Sequence, residues 1–341
     1  MATKLKSTEA PIFLVGATGT GKSAATMELA RSRTRAWPGG AAILAMDAMQ
    51  VYRGADIGTG KPTAAERAEV PHGGLDLVEF SASFDVAHYL KHAAAFLREQ
   101  REAGRRVVIV GGTGLYFRAL TRGLCEAPQG PEELRAELSL LSAAELRERL
   151  KAVDPGMLER VDGANPRRLA RAIEVKEATG RSLRDWQEET PEALVGDFTA
   201  FWIEREKAEL EARIEARVEA MFAEGWVEEV RGLIAKYGAE AVLSFPGIGY
   251  REIGEMLERG DEAASCALRA PGQQVVRATR GEEGTGAGPA PATLKSDICV
   301  ATRQYAKRQL TWFARESILE GVMLTGNQSF SAALSAAGLR L

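Results

Sequence analysis

The sequence is poor in the residues that build disulfide frameworks and metal cages. Its three cysteines, Cys125, Cys266 and Cys299, lie far apart with no C-x-x-C pair, which reads as structural thiols in a reducing compartment. His88 and His92 share a predicted helix face at metal-ligand spacing, but neither His72 nor any other residue supplies an evident third ligand. No run of about 18 apolar residues occurs, so no membrane-spanning helix is expected. The first apolar stretch, Pro11–Val15, is too short for the core of a secretion signal, and a cytoplasmic protein is expected. No internal repeat is present. A charge of one sign is missing too: 44 Lys and Arg against 47 Asp and Glu leave a net charge of −3. A nucleic-acid partner would therefore need a local basic patch.

What is present is a chain of 341 residues, 45% hydrophobic, long enough for a sizeable core and roughly two domains. Pro11–Val15, Ala41–Met46 and Arg105–Val110 are short apolar runs that suit buried strands. Between the last two, Asp85 to Gly104 reads as a helix with an Asp cap and a Gly stop. Strands alternating with helices predict an α/β fold with a parallel sheet flanked by helices, which the glycine loop Gly16–Ser23 (GATGTGKS) between the first strand and helix makes P-loop NTPase-like. After Gly123 the chain turns charged and helical, with Pro131–Leu150, Asn165–Thr179 and Ser182–Glu189 and no strand between them. This predicts a helical insertion over 125–196, framed by a first part of the core in 1–124 and a return to it in 197–341. The return begins with a strand at Phe198–Ile203, followed by helices at Glu206–Glu224, Trp226–Tyr237 and Tyr250–Arg259. Residues 270–293 hold few large apolar groups and read as a flexible loop, with a basic helix, Asp297–Ser317, after it.

One motif carries chemistry by itself. Gly16-Ala17-Thr18-Gly19-Thr20-Gly21-Lys22-Ser23 matches G-x-x-x-x-G-K-[ST] between a predicted strand and a predicted helix. Such a loop wraps a diphosphate with its N–H groups, and the helix N-terminus adds positive potential. Lys22 would reach the terminal phosphate and Ser23 would ligate Mg²⁺. The motif does not specify ATP. A P-loop NTPase usually ends a later strand in an acid that holds Mg²⁺. Here Arg105–Val110 runs into Gly111-Gly112-Thr113-Gly114, and the acid, Asp47, follows Ala41–Met46 instead.

Further blocks accompany the motif. They are Asp47–Gly54 (DAMQVYRG), Asp56–Pro62 (DIGTGKP), Gly111–Tyr116 (GGTGLY), Asn165–Leu169 (NPRRL), Pro246–Arg251 (PGIGYR) and Thr302–Phe313 (TRQYAKRQLTWF). Together they resemble the signature of the tRNA dimethylallyltransferases, also called isopentenylpyrophosphate:tRNA transferases, in order over nearly the whole chain. Ala48 stands where that family usually has serine, Ala314 where arginine is common, and the loop at 270–293 is longer than the family norm.

The resemblance implies transfer of a dimethylallyl group from dimethylallyl diphosphate to the N6 amine of the adenosine 3′-adjacent to the anticodon, in tRNAs reading codons that begin with U. It puts a general base at Asp47, where the plain alternative is a Mg²⁺-holding acid as in a kinase. Thr113 would hydrogen-bond the amine or the leaving oxygen, or cap the helix that follows. Arg217 would meet the diphosphate, or pair on a solvated face with Glu209, Glu211 or Glu215; Arg213 shares that face. The adenosine must be flipped out of its stack. The tRNA contacts implied are Asp47, Ala48, Met49 and Gln50 at the base, Arg135, Arg167, Arg168 and Arg171 on the insertion, Gly247, Gly249, Tyr250 and Arg251 on a Gly-rich turn, and Arg303, Lys307 and Arg308 on the basic helix. Tyr305 and Trp312 are available there for stacking. The expected partners are the anticodon stem-loop, dimethylallyl diphosphate and Mg²⁺, and the expected state is a monomer. The alternatives are a small-molecule kinase, a prenyltransferase acting on free adenine nucleotides, and a non-catalytic P-loop RNA-binding protein.

Overall fold

The computed structural model describes residues 10–32, 37–189, 192–260 and 291–339. Six strands, β1 (Ile12–Gly16), β2 (Ala41–Met46), β3 (His72–Gly73), β4 (Arg106–Gly111), β5 (Thr199–Glu204) and β6 (Glu320–Met323), form one sheet in the order β3-β2-β4-β1-β5-β6. Every pairing is parallel. β1 and β2 are buried at every position, as expected for strands covered on both faces. The central β1 and β4 run side by side, yet the chain leaves β1 toward β2 and leaves β4 toward β5. Such a switch in direction opens a crevice at the carboxyl ends of the strands.

Register fixes what faces that crevice. Gly111 of β4 pairs with Val15 of β1 and with Met46 of β2, so the three strands end level. The phosphate loop, Gly112-Thr113 and Asp47 therefore emerge along one edge of the sheet. Helix Lys22–Ser32 continues the phosphate loop. Helix Lys207–Ala223 follows β5, and a 23-residue helix, Pro291–Phe313, precedes β6. A second apolar cluster gathers Val51, Phe80, Trp226, Phe245 and Tyr250 with residues of helices Lys207–Ala223 and Trp226–Tyr237.

The described chain divides into two compact units, one running up to Phe117 and resuming at Asp197, the other Arg118–Gly196. The helical unit thus begins inside helix Gly114–Arg122 and not at 125. Its core is Leu138, Leu146, Leu150, Met157, Leu169 and Ile173. The single helix expected over Pro131–Leu150 is two, Glu132–Ser139 and Ala143–Val153. The first ends at Ser139 with Leu140 as its cap, and Ser142 starts the second through a capping box with Glu145. In Pro166–Thr179, Asn165 caps the start and Gly180, at φ +72°, caps the end.

Two further expectations change. The basic helix ends at Phe313, not Ser317, and is already helical from Pro291, so residues 291–293 belong to it. The remainder of the loop expected over 270–293 lies outside the described residues, as does Cys266.

Candidate active site

The crevice holds a cavity of about 670 Å³, bounded by the phosphate loop, the segments after β2 and β4, helix Lys207–Ala223 and helix Pro291–Phe313. The phosphate loop contributes Thr18, Gly19, Gly21, Lys22 and Ser23. The segment after β2 contributes Asp47, Ala48, Met49 and Gln50, and the end of β4 contributes Gly111 and Gly112. Arg213 and Arg217, one turn apart on helix Lys207–Ala223, face it from a third side, and Tyr305, Arg308 and Gln309 from the C-terminal helix.

The loop is held from outside by side chains. Arg205 Nε donates to the Thr20 carbonyl at 2.8 Å and Arg213 Nε to the Gly19 carbonyl at 3.0 Å. Thr20 Oγ1 donates to the carbonyl of the buried Ala17 at 2.9 Å. Gly16 closes β1, opposite Ile203 of β5. Arg205 is in turn fixed by Glu209 and by the Gly326 carbonyl. The ion-pair alternative for the helix arginines therefore fails at its acids. Glu209 holds Arg205, Glu215 holds Arg303 and Glu211 faces Lys207, while Arg213 and Arg217 turn to the cavity.

Four cations, Lys22, Arg213, Arg217 and Arg308, border this cavity with one carboxylate, Asp47. Burial, and next the charge of Arg217, push the Lys22 ammonium down to about 7, while Asp47 works the other way. Burial also lowers the pKa of Arg217, again opposed by Asp47. Lys22 Nζ donates to the Ala17 carbonyl at 2.6 Å. A polyanion entering this space would relieve the repulsion between Lys22 and Arg217. Arg217 also borders Gly60, where a Cβ would stand 2.1 Å from its guanidinium, so only glycine lets the two approach.

Asp47 Oδ1 accepts the Met49 N–H at 2.8 Å, which orients the carboxylate at the cavity wall. Thr113 Oγ1 accepts the Ala48 N–H at 3.2 Å. That hydroxyl thus bridges the ends of β2 and β4, while Thr113, unlike Gly111 and Gly112, is not among the residues at the cavity wall. The Gln50 amide nitrogen donates to the Thr59 and Gly60 carbonyls, at 3.2 and 3.0 Å. Those carbonyls belong to a loop whose preceding amides, Asp56, Ile57 and Gly58, donate to the Glu229 carboxylate.

Not every expected contact lies on this cavity. Tyr250 is fully buried and its hydroxyl donates to Glu229 at 2.6 Å; it is a core residue and not a stacking platform. The Gly249 backbone packs against Trp226, and of that turn's candidates only Gly247 reaches the wall. Arg251 is exposed beside Glu255. Arg303 pairs with Glu215 at 2.8 Å. Lys307 lies with Arg308 and Trp312 along a second, shallower groove of about 440 Å³, and Arg308 borders both spaces. On the helical unit Arg135, Arg167 and Arg168 are exposed. Arg171 instead donates to the Ala127 and Pro128 carbonyls and pairs with Glu174. Sequence reading passed over Arg205, Gln309 and Glu229. Only Gln309 lay in a block already singled out, Thr302–Phe313.

Among the side-chain oxygens at the wall, the Ser23 hydroxyl follows the phosphate loop and Asp47 supplies the carboxylate. Among the described residues no group of three or more His, Cys, Asp or Glu could cage a metal. One hydroxyl and one carboxylate beside an anion cradle suit Mg²⁺, which keeps several waters and takes phosphate oxygens as ligands. Among the described residues no helix is long and apolar enough to cross a membrane.

The model of the IPP transferase family matches residues 50–316. A tRNA dimethylallyltransferase of Methylacidiphilum infernorum is 42% identical over 307 residues, covering 90% of this chain and 83% of the relative. One from Geobacter metallireducens is 39% identical over 316 residues, 90% of each chain. The solved full-length tRNA isopentenylpyrophosphate transferase of Bacillus halodurans superposes with a TM-score of 0.61 at 27% identity, over 97% of this chain and 95% of that one. A eukaryotic dimethylallyltransferase solved acting on tRNA shares the fold, with a TM-score of 0.74 at 20% identity over 97% of this chain and 77% of that one. By sequence and by structure, this chain belongs to the IPP transferase family.

Proposed function

We propose that this protein transfers a dimethylallyl group from dimethylallyl diphosphate to the N6 amine of the adenosine 3′-adjacent to the anticodon, in tRNAs reading codons that begin with U. The products are N6-(dimethylallyl)adenosine and diphosphate. The observation that carries the reading is the meeting of two half-buried cations, Lys22 and Arg217, with Asp47 at one cavity, while β4 ends in glycine where a triphosphate hydrolase would place its Mg²⁺ acid.

The chemistry follows from those groups. The N6 lone pair is delocalised into the adenine ring, so the amine attacks well only if its proton is accepted as the C–N bond forms. Asp47, oriented by the Met49 amide, accepts it. Thr113, fixed by the Ala48 amide, has its hydroxyl proton for the amine or the departing oxygen. As the C–O bond to the diphosphate breaks, charge grows on the leaving oxygens. Lys22, Arg217, Arg213 and the amides of Gly19, Gly21 and Ser23 are already in place to stabilise it. Mg²⁺ bound at Ser23 would neutralise further diphosphate charge. Met49, Val218, Met221, Trp226, Ile248 and Ile298 line the apolar part of the cavity and suit the isoprenoid tail.

The RNA would lie on surfaces that carry unshared positive charge. Lys307 and Arg308 meet phosphates at the outer groove, and Arg135, Arg167 and Arg168 do so on the helical unit. The flipped adenosine would lie against Ala48, Met49 and Gln50. A monomer in the cytoplasm, with Mg²⁺ as the only cofactor, completes the reading.

Incubation with radiolabelled dimethylallyl diphosphate and unfractionated tRNA, beside a parallel incubation with γ-labelled ATP, tests it. Label from the first appears in tRNA. Label transferred from ATP with none from the isoprenoid would make the protein a kinase, and label in free AMP but not in tRNA would make it an adenine-nucleotide prenyltransferase.

A further inference from the structure

Helix Pro291–Phe313 stands between two spaces. Thr302, Tyr305 and Gln309 face the cavity, while Gln304, Lys307 and Thr311 face the outer groove, with Arg308 bordering both. That is the i, i+3, i+4 spacing of two adjoining helix faces. At the centre of the inner face, Gln309 is 6% exposed. Its Oε1 accepts the Thr18 N–H of the phosphate loop at 2.8 Å, and its Nε2 donates to the Gly112 carbonyl at 2.9 Å.

Each bond reaches a different part of the site. Thr18 precedes Gly19, whose carbonyl is held by Arg213. Gly112 precedes Thr113, whose hydroxyl holds Ala48, the residue after Asp47. A Cβ on residue 112 would stand 2.1 Å from Gln309 Nε2, so the glycine makes room for this amide. A primary amide offers an acceptor oxygen and a donor nitrogen from a single planar group. Glutamate lacks the donor, and methionine or leucine lacks both.

We propose that Gln309 is a positioning residue that couples the basic helix to the phosphate loop, so that RNA on the outer face and diphosphate in the cavity strengthen each other's binding. The inference rests on the reading of the site given above. RNA phosphates fix Lys307 and Arg308, the helix is held in one position, and Gln309 holds Thr18 and Gly112 in register with it. Coupling of this kind is reciprocal.

The test is a linkage measurement on the full-length protein. The affinity of inorganic diphosphate with Mg²⁺ is measured by calorimetry without RNA and with a saturating anticodon stem-loop RNA. In the wild type the RNA tightens diphosphate binding about fivefold or more, the usual lower range for coupled sites. In Gln309→Met the ratio falls to near one and kcat falls about tenfold or more, while RNA affinity without diphosphate stays within about twofold. Should Gln309→Met fail to fold, Gln309→Glu, which keeps the acceptor for Thr18 and loses the donor for Gly112, is read against the same criterion. A variant ratio equal to that of the wild type, or a wild-type ratio of one, overturns the proposal. A wild type that binds neither RNA nor diphosphate would instead overturn the reading of the site.

Discussion

Arginines of the cavity and arginines of the helical unit are the same residue in opposite situations. Arg149 bridges Glu137 and Glu177, Arg184 pairs with Glu188, and Arg181 pairs with Glu189, all at the surface. Around the cavity the acids beside Arg213 and Arg217 hold other cations, and both guanidiniums face an interior wall. Spacing along a helix is the same in both regions. What differs is which acids remain for which cations. Surface pairs of the first kind contribute little to stability, whereas a buried cation with a single carboxylate nearby is held ready for an anion.

The strongest way to break this contrast is to remove that carboxylate. Asp47→Ala is expected to lower single-turnover transfer by about 10²–10⁴-fold, the usual share of a positioned base, while tRNA affinity in a filter-binding assay stays the same. A variant that turns over normally would strip Asp47 of its role.

Next comes the comparison itself. Arg217→Ala is expected to reduce kcat by about 10²–10³-fold, as loss of a donor aimed at developing charge does elsewhere. Arg149→Ala is expected to leave kcat within about twofold and to cost about 1 kcal/mol or less of stability in thermal unfolding. Equal effects in the two kinetic assays would erase the distinction between the regions.

A smaller effect separates Lys22 from every surface lysine. With its pKa lowered to about 7, Lys22 is already protonated below pH 7, so its contribution to diphosphate affinity is flat there. Above pH 7 binding must also draw a proton onto Lys22. Affinity then falls by up to about tenfold per pH unit, until the pH reaches the higher pKa of the occupied site. Titrations of inorganic diphosphate from pH 6 to 9, set against Lys22→Met to remove the ligand's own ionisation, check this. A difference that does not vary with pH would return Lys22 to an ordinary lysine.

The contrast also marks how far sequence reading could go. Strands β1, β2, β4 and β5 were legible because each is a short apolar run in a parallel sheet buried on both faces. β3 has two residues, and β6 exposes three of its four positions, so neither carries a hydrophobic signal. The phosphate loop was legible because phosphate chemistry constrains consecutive residues. The clamp around it was not. Arg205 and Gln309 act across 185 and 291 positions of sequence, and a glutamine in a polar helix looks like a solvated one. Tyr250 shows the converse error. A tyrosine on a Gly-rich turn beside arginine suggests a contact to RNA, and only tertiary packing reveals that it supports Glu229 from within the core.

The finest test lies within the basic helix, where the same comparison recurs on one element. Arg303 is held by Glu215, whereas Lys307 is exposed at the groove. A cation already paired with a carboxylate gains less from a phosphate, because it must give up one anion to take another. Lys307→Ala is therefore expected to weaken stem-loop binding by a few-fold and to reduce the slope of log affinity against log salt by about 0.7–0.9, one phosphate contact. Arg303→Ala is expected to change that slope by less than half as much. Equal slopes for the two variants would mean that the Glu215 pair opens freely when RNA arrives. An unchanged slope for Lys307→Ala would remove the outer groove from the RNA interface.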